Sequence, residues 1–191
     1  MKEIRIHGRA GQGSITTARI LAMAAFEDKK YGLAFPHFGA ERMGAPMNAF
    51  VRLANGKIRL RTRIYEPDYV IVIDPTLLSA KDSDVLDGLK DDGAAIINCG
   101  QSPEELSLPT KARVFTVPAS QIALEVMGQE RANTSLLGAF AAICPEISLE
   151  AMCEGIRQNF DREDVAEKNI EAVRRAYEYV ENEAQRTKGK K

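Results

Sequence analysis

A continuous apolar run, DYVIVID from Asp68 to Asp74, constrains the fold more than any other stretch of the sequence. Between the two terminal aspartates the run contains only Tyr, Val and Ile, and Pro75 follows the second aspartate directly. Such a run is typical of a strand that is buried on both faces, which occurs mainly in parallel sheets covered by other layers. We therefore predict that this segment is a central strand of an α/β fold.

The segments around this run alternate between strand and helix patterns. Near the N-terminus, the alternating run KEIRIH from Lys2 to His7 leads into glycines, and the apolar positions that follow have helical spacing. Further predicted elements are a helix from Thr76 to Leu89, strands at AAIINC and RVFTVP, a helix after Pro118, and the C-terminal helices NTSLLGAFAAI, SLEAMCEGIRQNF with Ser148 as N-cap, and one from Arg162 to Ala184. This order predicts βαβ units, and hence parallel strands packed against helices.

One part of the sheet is predicted to be antiparallel. The runs MNAFVRL and KIRLR flank Ala54-Asn55-Gly56, and Asn-Gly tolerates the positive φ angles that a two-residue hairpin turn requires. Before them, YGLAF is a candidate strand, and PHFGAERMGAP is expected to be a loop because it contains two prolines and two glycines. We expect a single three-layer α/β domain over residues 1–184, with a mixed, mostly parallel sheet that includes one antiparallel hairpin, a helical C-terminal segment, and a basic tail over 185–191.

Composition limits the classes of function. With 191 residues and 45% apolar content, the chain suits one soluble domain, and its longest apolar stretch, LLGAFAAIC, is too short to span a bilayer. The first residues contain no apolar signal core, so we expect the cytoplasm. The three cysteines lack a C-x-x-C spacing, which disfavours disulfides, zinc and iron–sulfur clusters. The net charge of −1, with basic residues scattered except for the terminal RTKGKK, argues against nucleic acid as a partner.

The stretch GRAGQGS, which follows the first predicted strand, is typical of a phosphate-binding loop. A dinucleotide loop needs the order G-x-G-x-x-G and an acid after the second strand, whereas this loop has the inverted order Gly8-x-x-Gly11-x-Gly13 and the second strand ends in Phe35 and Pro36. A Walker A loop would share the spacing of Gly8 and Gly13, but its lysine is absent here. Neither dinucleotide binding nor nucleotide hydrolysis is therefore expected.

A more general anion site remains open, because free amides at a helix N-terminus favour a negative charge. The candidate anion-binding residues are Gly8, Arg9, Gly11, Gln12, Gly13 and Ser14, with Thr16 beside them. The alternative is that the glycines only allow a tight turn from strand to helix and a close approach of other backbone.

The loop PHFGAERMGAP concentrates an aromatic residue, an acid, an arginine and small residues between two strands, which favours contact with a partner chain. An arginine there could pair with a carboxylate or a phosphate, and glycine or alanine would let another backbone come close. The candidate contact residues are Phe38, Gly39, Glu41, Arg42, Gly44 and Ala45. The alternative is an ordered loop without a ligand role. Because this loop and the glycine loop follow strands at the same sheet edge, we expect them to converge.

Other polar residues have simpler interpretations. Asn133 and Thr134 are predicted to cap the helix that starts there, and Asp74 is predicted to cap the helix that starts near Thr76. His7 and His37 are far apart in sequence and have no evident third ligand, so no metal site is predicted.

Four segments together resemble a known family. GRAGQG, AFPHFGAERMGAPMNAFVR at 34–52, IRLRTRIYEPDYVIVIDPTLL at 58–78 and NTSLLGA at 133–139 are similar to the γ subunits of the 2-oxoacid:ferredoxin oxidoreductases, most closely the pyruvate and 2-oxoisovalerate types. The resemblance runs in order from Met1 to about Ala184.

The resemblance implies a shared oxidative decarboxylation, in which pyruvate and coenzyme A give acetyl-CoA, carbon dioxide and reduced ferredoxin. It implies thiamine diphosphate, magnesium and 4Fe–4S clusters in partner α, β and δ subunits, since this chain lacks their motifs, and coenzyme A as co-substrate. This chain is then expected to be inactive alone, to frame the complex, and to offer the loop of Gly8 to Ser14 to a phosphate of coenzyme A. The alternatives are a subunit for another 2-oxoacid, or a free-standing α/β module that binds an anion or a nucleotide.

Overall fold

The apolar run after Asp68 forms a fully buried strand near the middle of a six-stranded sheet. The structure is a computed structural model, and it describes residues 1–37, 44–79 and 85–188. The strands are β1 (Lys2–Arg9), β2 (Tyr31–His37), β3 (Pro46–Ala54), β4 (Tyr69–Val72), β5 (Ala94–Asn98) and β6 (Arg113–Val117), in the order β2-β3-β1-β4-β5-β6. Because β3 pairs antiparallel with both of its neighbours while β1, β4, β5 and β6 pair in parallel, the sheet is mixed and mostly parallel, which confirms the predicted fold class.

The helices follow the predicted order with different lengths. They are α1 (Ser14–Glu27), the short α2 (Pro103–Leu106), α3 (Ala119–Met127), α4 (Ala132–Ile143), α5 (Leu149–Asn159) and α6 (Glu163–Lys188). Ser148 caps α5 as predicted, since its side chain accepts a hydrogen bond from the Ala151 amide. The last helix continues to Lys188, into the segment predicted as a basic tail, and residues 189–191 lie outside the described residues.

The sheet is covered on both faces, but by unequal layers. One face carries α1 and α3 to α6, whose apolar residues form one cluster with those of the strands. The other face of β4 and β5 is covered by a smaller cluster that includes Leu77, Val85, Leu89 and Ala112, from turns and connections rather than long helices. Within the described ranges, no helix is both long and apolar enough to cross a membrane.

The hairpin predicted at Ala54-Asn55-Gly56 is wrong. Strand β3 already pairs with β1 along one edge and with β2 along the other, so no edge is left for residues 57–61. Their neighbourhood is instead organised by Arg52, whose Nη1 donates to the carbonyls of Leu60 and Thr62 at 3.1 and 2.8 Å. The antiparallel hairpin consists instead of the consecutive strands β2 and β3. Both strands extend further toward the loop between them than predicted, since β2 includes Pro36 and β3 begins at Pro46.

The long helix predicted from Thr76 to Leu89 is also wrong. Only a 3-10 helix, Pro75–Leu78, forms at its start, and residues 85–88 form a turn. Gly88 has a φ of +68°, which a right-handed helix does not allow, and a Cβ at this position would lie 2.1 Å from the Tyr65 carbonyl oxygen. Residues 80–84 lie outside the described residues.

Candidate functional site

A cavity of about 800 Å³ opens where the carboxyl ends of β1, β4 and β5 meet the N-terminal ends of α1, α4 and α6. In open α/β sheets this edge is where ligands commonly bind. Its lining comes from the glycine loop, the ends of β4 and β5, α3, the segment before α4, and the start of α6: Gly11, Gln12, Gly13, Thr16, Ile73, Asp74, Pro75, Asn98, Ser120, Met127, Gln129, Glu130, Arg131, Ala132, Asn133, Thr134, Phe160, Arg162, Asp164, Val165, Lys168 and Asn169.

The glycine loop enters the cavity at the start of α1. Gly8 and Arg9 belong to β1, where they pair with Met47 and Pro46, so the turn itself is shorter than the sequence pattern suggested. Gly13 has a φ of +87°, and a Cβ on it would lie 2.7 Å from Asn133 Nδ2. The glycine at this position therefore serves both the backbone turn and the close approach of α4.

The first turn of α1 leaves amide groups available. The first hydrogen bond within the helix runs from the Thr17 amide to the Gly13 carbonyl, at 2.9 Å, and no side chain caps the helix. The amides of Ser14, Ile15 and Thr16 precede that bond and have no carbonyl partner within the helix. This end of α1 therefore carries the partial positive charge of a helix N-terminus.

Arg9 and Gln12 are held by Asp74, at the end of β4. Arg9 Nε and Gln12 Nε2 donate to Asp74 Oδ2 at 3.0 and 2.8 Å, and Arg9 also donates to the Thr76 hydroxyl at 2.8 Å. Partial burial alone would raise the pKa of the Asp74 carboxyl, but hydrogen bonds from Thr76 and Gln12 outweigh it and hold that pKa below its usual value. Asp74 also accepts from the Thr76 amide, so the predicted capping role is confirmed, on a 3-10 helix.

Ser14 lies beneath the loop rather than on the cavity surface. Its side chain is buried, and a Cβ on Gly8 would lie 2.6 Å from its Oγ. Among the described residues, this hydroxyl has no hydrogen-bond partner. A buried hydroxyl without a hydrogen-bond partner costs about 1 to 3 kcal/mol, so the loop tolerates the unfavourable burial of this group.

Asn133 and Thr134 do not cap α4, contrary to the prediction. The N-cap position is Arg131, without a side-chain hydrogen bond, and the two residues lie inside the first turn. Thr134 is buried and donates to Asn169 Oδ1 at 2.6 Å, which ties the start of α4 to α6. The carbonyl of Asn133 accepts from the Thr17 hydroxyl at 3.3 Å. These hydrogen bonds connect the first turn of α4 to α1 and α6. Because no side chain caps α4 and residues Arg131 to Thr134 line the cavity, the N-terminus of α4 faces the cavity without a side-chain cap.

Two cations at the cavity are available to a ligand. Arg162 is paired with Asp164 through two hydrogen bonds of 3.0 and 2.6 Å. By contrast, the side chains of Arg131 and Lys168 make no hydrogen bond or salt bridge within the described part of the chain, and both are exposed. The hydrogen bond from Arg162 lowers the pKa of the Asp164 carboxyl, and the nearby charge of Lys168 contributes to the same shift. Neither residue is predictable from the sequence as part of the site, because both Arg131 and Lys168 lie far from the glycine loop along the chain.

Asn98, at the end of β5, is a third residue of the site that the sequence did not predict. Its Nδ2 donates to the Ile73 carbonyl at 3.0 Å and to the Ser120 hydroxyl at 2.9 Å, and its Oδ1 accepts from the Ser120 amide at 3.0 Å. It thus fixes the end of β4 and the start of α3 on either side of the cavity. A polar residue that closes an apolar strand at the carboxyl edge was the available signal.

The predicted partner-contact loop meets the glycine loop, as expected, through its last two candidate residues. The Ala10 amide donates to the Ala45 carbonyl at 2.9 Å, and Arg9 Nη1 donates to the Gly44 carbonyl at 3.1 Å. The other candidates, Phe38, Gly39, Glu41 and Arg42, lie outside the described residues.

The two histidines do not reach the cavity lining. His7 is buried within β1, where it accepts a hydrogen bond from Arg5 Nε at 2.9 Å, and burial together with the charge of Arg5 lowers its pKa to about 3. The imidazole of His7 is therefore neutral at physiological pH. No group of His, Cys, Asp or Glu side chains in the described ranges is arranged to hold a metal ion.

Comparisons with known proteins match nearly the whole chain. Residues 3–179 match the family described as pyruvate ferredoxin/flavodoxin oxidoreductase. The pyruvate synthase subunit PorC of Methanosarcina barkeri is 55% identical over 82% of this chain and 85% of that protein. The pyruvate/ketoisovalerate oxidoreductases common subunit gamma of Pyrococcus furiosus is 48% identical over 95% of this chain and 98% of that protein. The crystal structure of the pyruvate oxidoreductase subunit PORC of Thermotoga maritima has a TM-score of 0.81, at 37% identity, over 93% of this chain and 95% of that chain.

Proposed function

Because the chain belongs to the pyruvate ferredoxin/flavodoxin oxidoreductase family, we propose that it is the γ subunit of a multi-subunit pyruvate:ferredoxin oxidoreductase. The complex oxidatively decarboxylates pyruvate with coenzyme A to acetyl-CoA, carbon dioxide and reduced ferredoxin. The observation that carries this proposal is the match in length. Relatives named as single subunits are covered over 85% and 98% of their own length, so this chain corresponds to one such subunit.

The prosthetic groups of the reaction belong, in this proposal, to the α, β and δ subunits. The cysteines of this chain do not fit an iron–sulfur cluster, since Cys144 and Cys153 are buried and burial raises the pKa of both thiols. An iron–sulfur cluster needs thiolates that converge on it. In this proposal thiamine diphosphate, magnesium and the 4Fe–4S clusters are therefore held by the companion subunits, and this subunit supplies framing and contacts.

The edge that carries the cavity is proposed to bind a phosphate of coenzyme A. The support is the combination of first turns without side-chain caps at α1 and α4 with two exposed cations, Arg131 and Lys168. Helix N-termini and cations both favour a phosphate dianion. Arg9 and Gln12 contribute by holding the loop in place through Asp74, rather than by lying free to bind.

Assembly tests the proposed identity. Purification of the complex from its native source should yield this chain together with chains that carry thiamine diphosphate and iron–sulfur clusters. Removal of this chain should abolish pyruvate-dependent reduction of ferredoxin. Because one relative is named as a subunit common to pyruvate and ketoisovalerate oxidoreductases, ferredoxin reduction should be measured with each of these two 2-oxoacids as substrate. A chain that elutes alone, and is stabilised thermally by coenzyme A or a nucleotide without any companion, would instead support a free-standing binding module.

The coenzyme A site is tested separately in the assembled complex. The double substitution Arg131→Ala with Lys168→Ala should raise the KM for coenzyme A by about tenfold or more, since a charge-assisted contact contributes about 1.5 to 3 kcal/mol. The KM for pyruvate should not change. The matched control is Lys111→Ala, which removes an exposed cation away from the cavity. An unchanged KM for coenzyme A in the double variant would refute this part of the proposal.

A further inference from the structure

A segment that leaves the sheet after β3 carries an unusual concentration of positive charge. Residues 57–63, called the basic strap below, read KIRLRTR and place a cation at every second position: Lys57, Arg59, Arg61 and Arg63. All four of these side chains are exposed. The strap contains no acid, and the first acid that follows it is Glu66.

The strap is fixed to the sheet from below. Arg52 of β3 is buried, and its Nη1 donates to the carbonyls of Leu60 and Thr62. Its Nε is paired with Glu3 of β1 at 2.7 Å, and its guanidinium lies 5.4 Å from the centre of the Phe35 ring. Because both carbonyls are held, the backbone of the strap has a defined position, and its cations are presented on a preorganised segment.

The four cations are not neutralised by any residue in the described ranges. None of them makes a hydrogen bond or an ion pair in the part of the chain that the structure describes. Arg63 lies close enough to His37 that its charge, after the effect of burial, contributes to the lowered pKa of that imidazole. The whole chain has a net charge of only −1, so this positive field is local to the strap.

Large apolar side chains are exposed along the same segment. Leu60, inside the strap, is 46% exposed, and Tyr65, just after it, is 70% exposed. Tyr31, which is 47% exposed, pairs in the sheet with Ala54, three residues before the strap. Arginine and tyrosine among exposed apolar residues are the composition of protein–protein interfaces. A nucleic acid would fit this mixture less well, because the apolar side chains would remain uncovered.

We propose that the basic strap docks a carboxylate-rich surface of a companion subunit in the assembled oxidoreductase. This inference rests on the proposed function, since it takes the partner from the same complex. The partner's carboxylates would neutralise Arg59 and Arg61, and its surface would cover Leu60 and Tyr65. No residue of the strap lines the cavity, so this contact is additional to the site proposed there.

The experiment measures assembly of the full-length chain with the remaining subunits of the complex. The test variant is Arg59→Glu with Arg61→Glu, and the matched control is Lys111→Glu with Arg175→Glu, which makes the same change in charge at exposed cations outside the strap. We expect the test variant to associate about tenfold more weakly or worse, and the control to associate like the wild type. The milder Arg59→Gln with Arg61→Gln should give an intermediate loss, and thermal unfolding should confirm that every variant is folded. Wild-type association should also weaken as salt is raised.

The outcomes separate the two proposals. If wild type and test variant assemble equally, the docking inference is overturned and the proposed function stands. If neither wild type nor control assembles with the other subunits, the proposed function fails, and this inference fails with it. If the test substitutions leave assembly intact but weaken binding to RNA or to vesicles of anionic lipid, the strap serves another partner and the inference is likewise refuted.

Discussion

Replacing Gly13 by alanine tests how the glycine loop is built. Gly13 has a φ of +87°, and the left-handed region costs a residue with a Cβ about 1 to 2 kcal/mol. The new Cβ would also lie 2.7 Å from Asn133 Nδ2 and 2.9 Å from its Cγ. Displacing a packed side chain typically costs a further 1 to 3 kcal/mol, so we expect Gly13→Ala to lower the free energy of unfolding by about 2 to 5 kcal/mol.

Gly11 is the matched control. Its φ is +96°, but nothing lies within 4 Å of the position that a Cβ would take. Gly11→Ala should therefore lose only the conformational part, about 1 to 2 kcal/mol. Urea unfolding of each variant gives the free energy of unfolding from the midpoint and slope.

A double substitution separates the two contributions at Gly13. With Asn133→Ala in the background, the side chain that Gly13→Ala would strike is gone, so its effect should shrink to that of Gly11→Ala. Equal losses for Gly11→Ala and Gly13→Ala in the wild-type background would contradict the reasoning. So would a Gly13→Ala effect that Asn133→Ala leaves unchanged, because the close approach of α4 would then carry no energy.

Three further outcomes follow from contacts elsewhere. Arg52→Met should lower the free energy of unfolding by about 3 kcal/mol, because it leaves Glu3 without its partner and frees two carbonyls, and trypsin should then cleave the basic strap faster. Asp74→Asn should make the free energy of unfolding depend less on pH in the acid range. The lowered pKa of Asp74 gives stability that is present above the pKa of the unfolded state and is lost as pH falls through the folded value. His7 has a folded pKa of about 3, so the unfolded state binds more protons between that value and 6.5, and stability should fall as pH is lowered across this window, with a slope of up to about 1.4 kcal/mol per unit. His7→Gln should remove that component when urea unfolding is repeated from pH 7 to pH 4.

The parts of the fold that depend on local pattern could be predicted from the sequence. The apolar run of β4, the strands β5 and β6, and the Ser148 cap were recognisable because their signals lie within a few residues of one another. The extension of β2 through Pro36 was not, since proline usually interrupts a strand. It is accommodated here because β2 lies at the edge of the sheet, where a missing amide hydrogen costs little.

The candidate site was only partly predictable, because its chemistry is assembled across long sequence separations. The turn from the glycine loop into a helix is predictable, but Arg131 and Lys168 reach the same cavity from the N-cap of α4 and from α6. Nothing in the sequence near these two residues places them at the cavity. The N-cap predicted at Asn133 and Thr134 is wrong because α4 begins earlier, after Arg131, and the Thr134 hydroxyl donates to Asn169 of α6, which is distant in sequence.

The region after β3 has the local sequence pattern of a hairpin but does not form one. Asn55-Gly56 suits a tight turn, and KIRLR has the alternation of a strand. What decides the outcome is that β1 and β2 occupy both edges of β3, so the following segment has no strand to pair with. The carbonyls of Leu60 and Thr62 then need donors, and the buried guanidinium of Arg52 supplies them from within the sheet. In a strand, the alternation of this segment would place its polar residues on one face. Because the segment is not a strand, its four cations lie on the surface, and the proposed partner supplies the opposite charges.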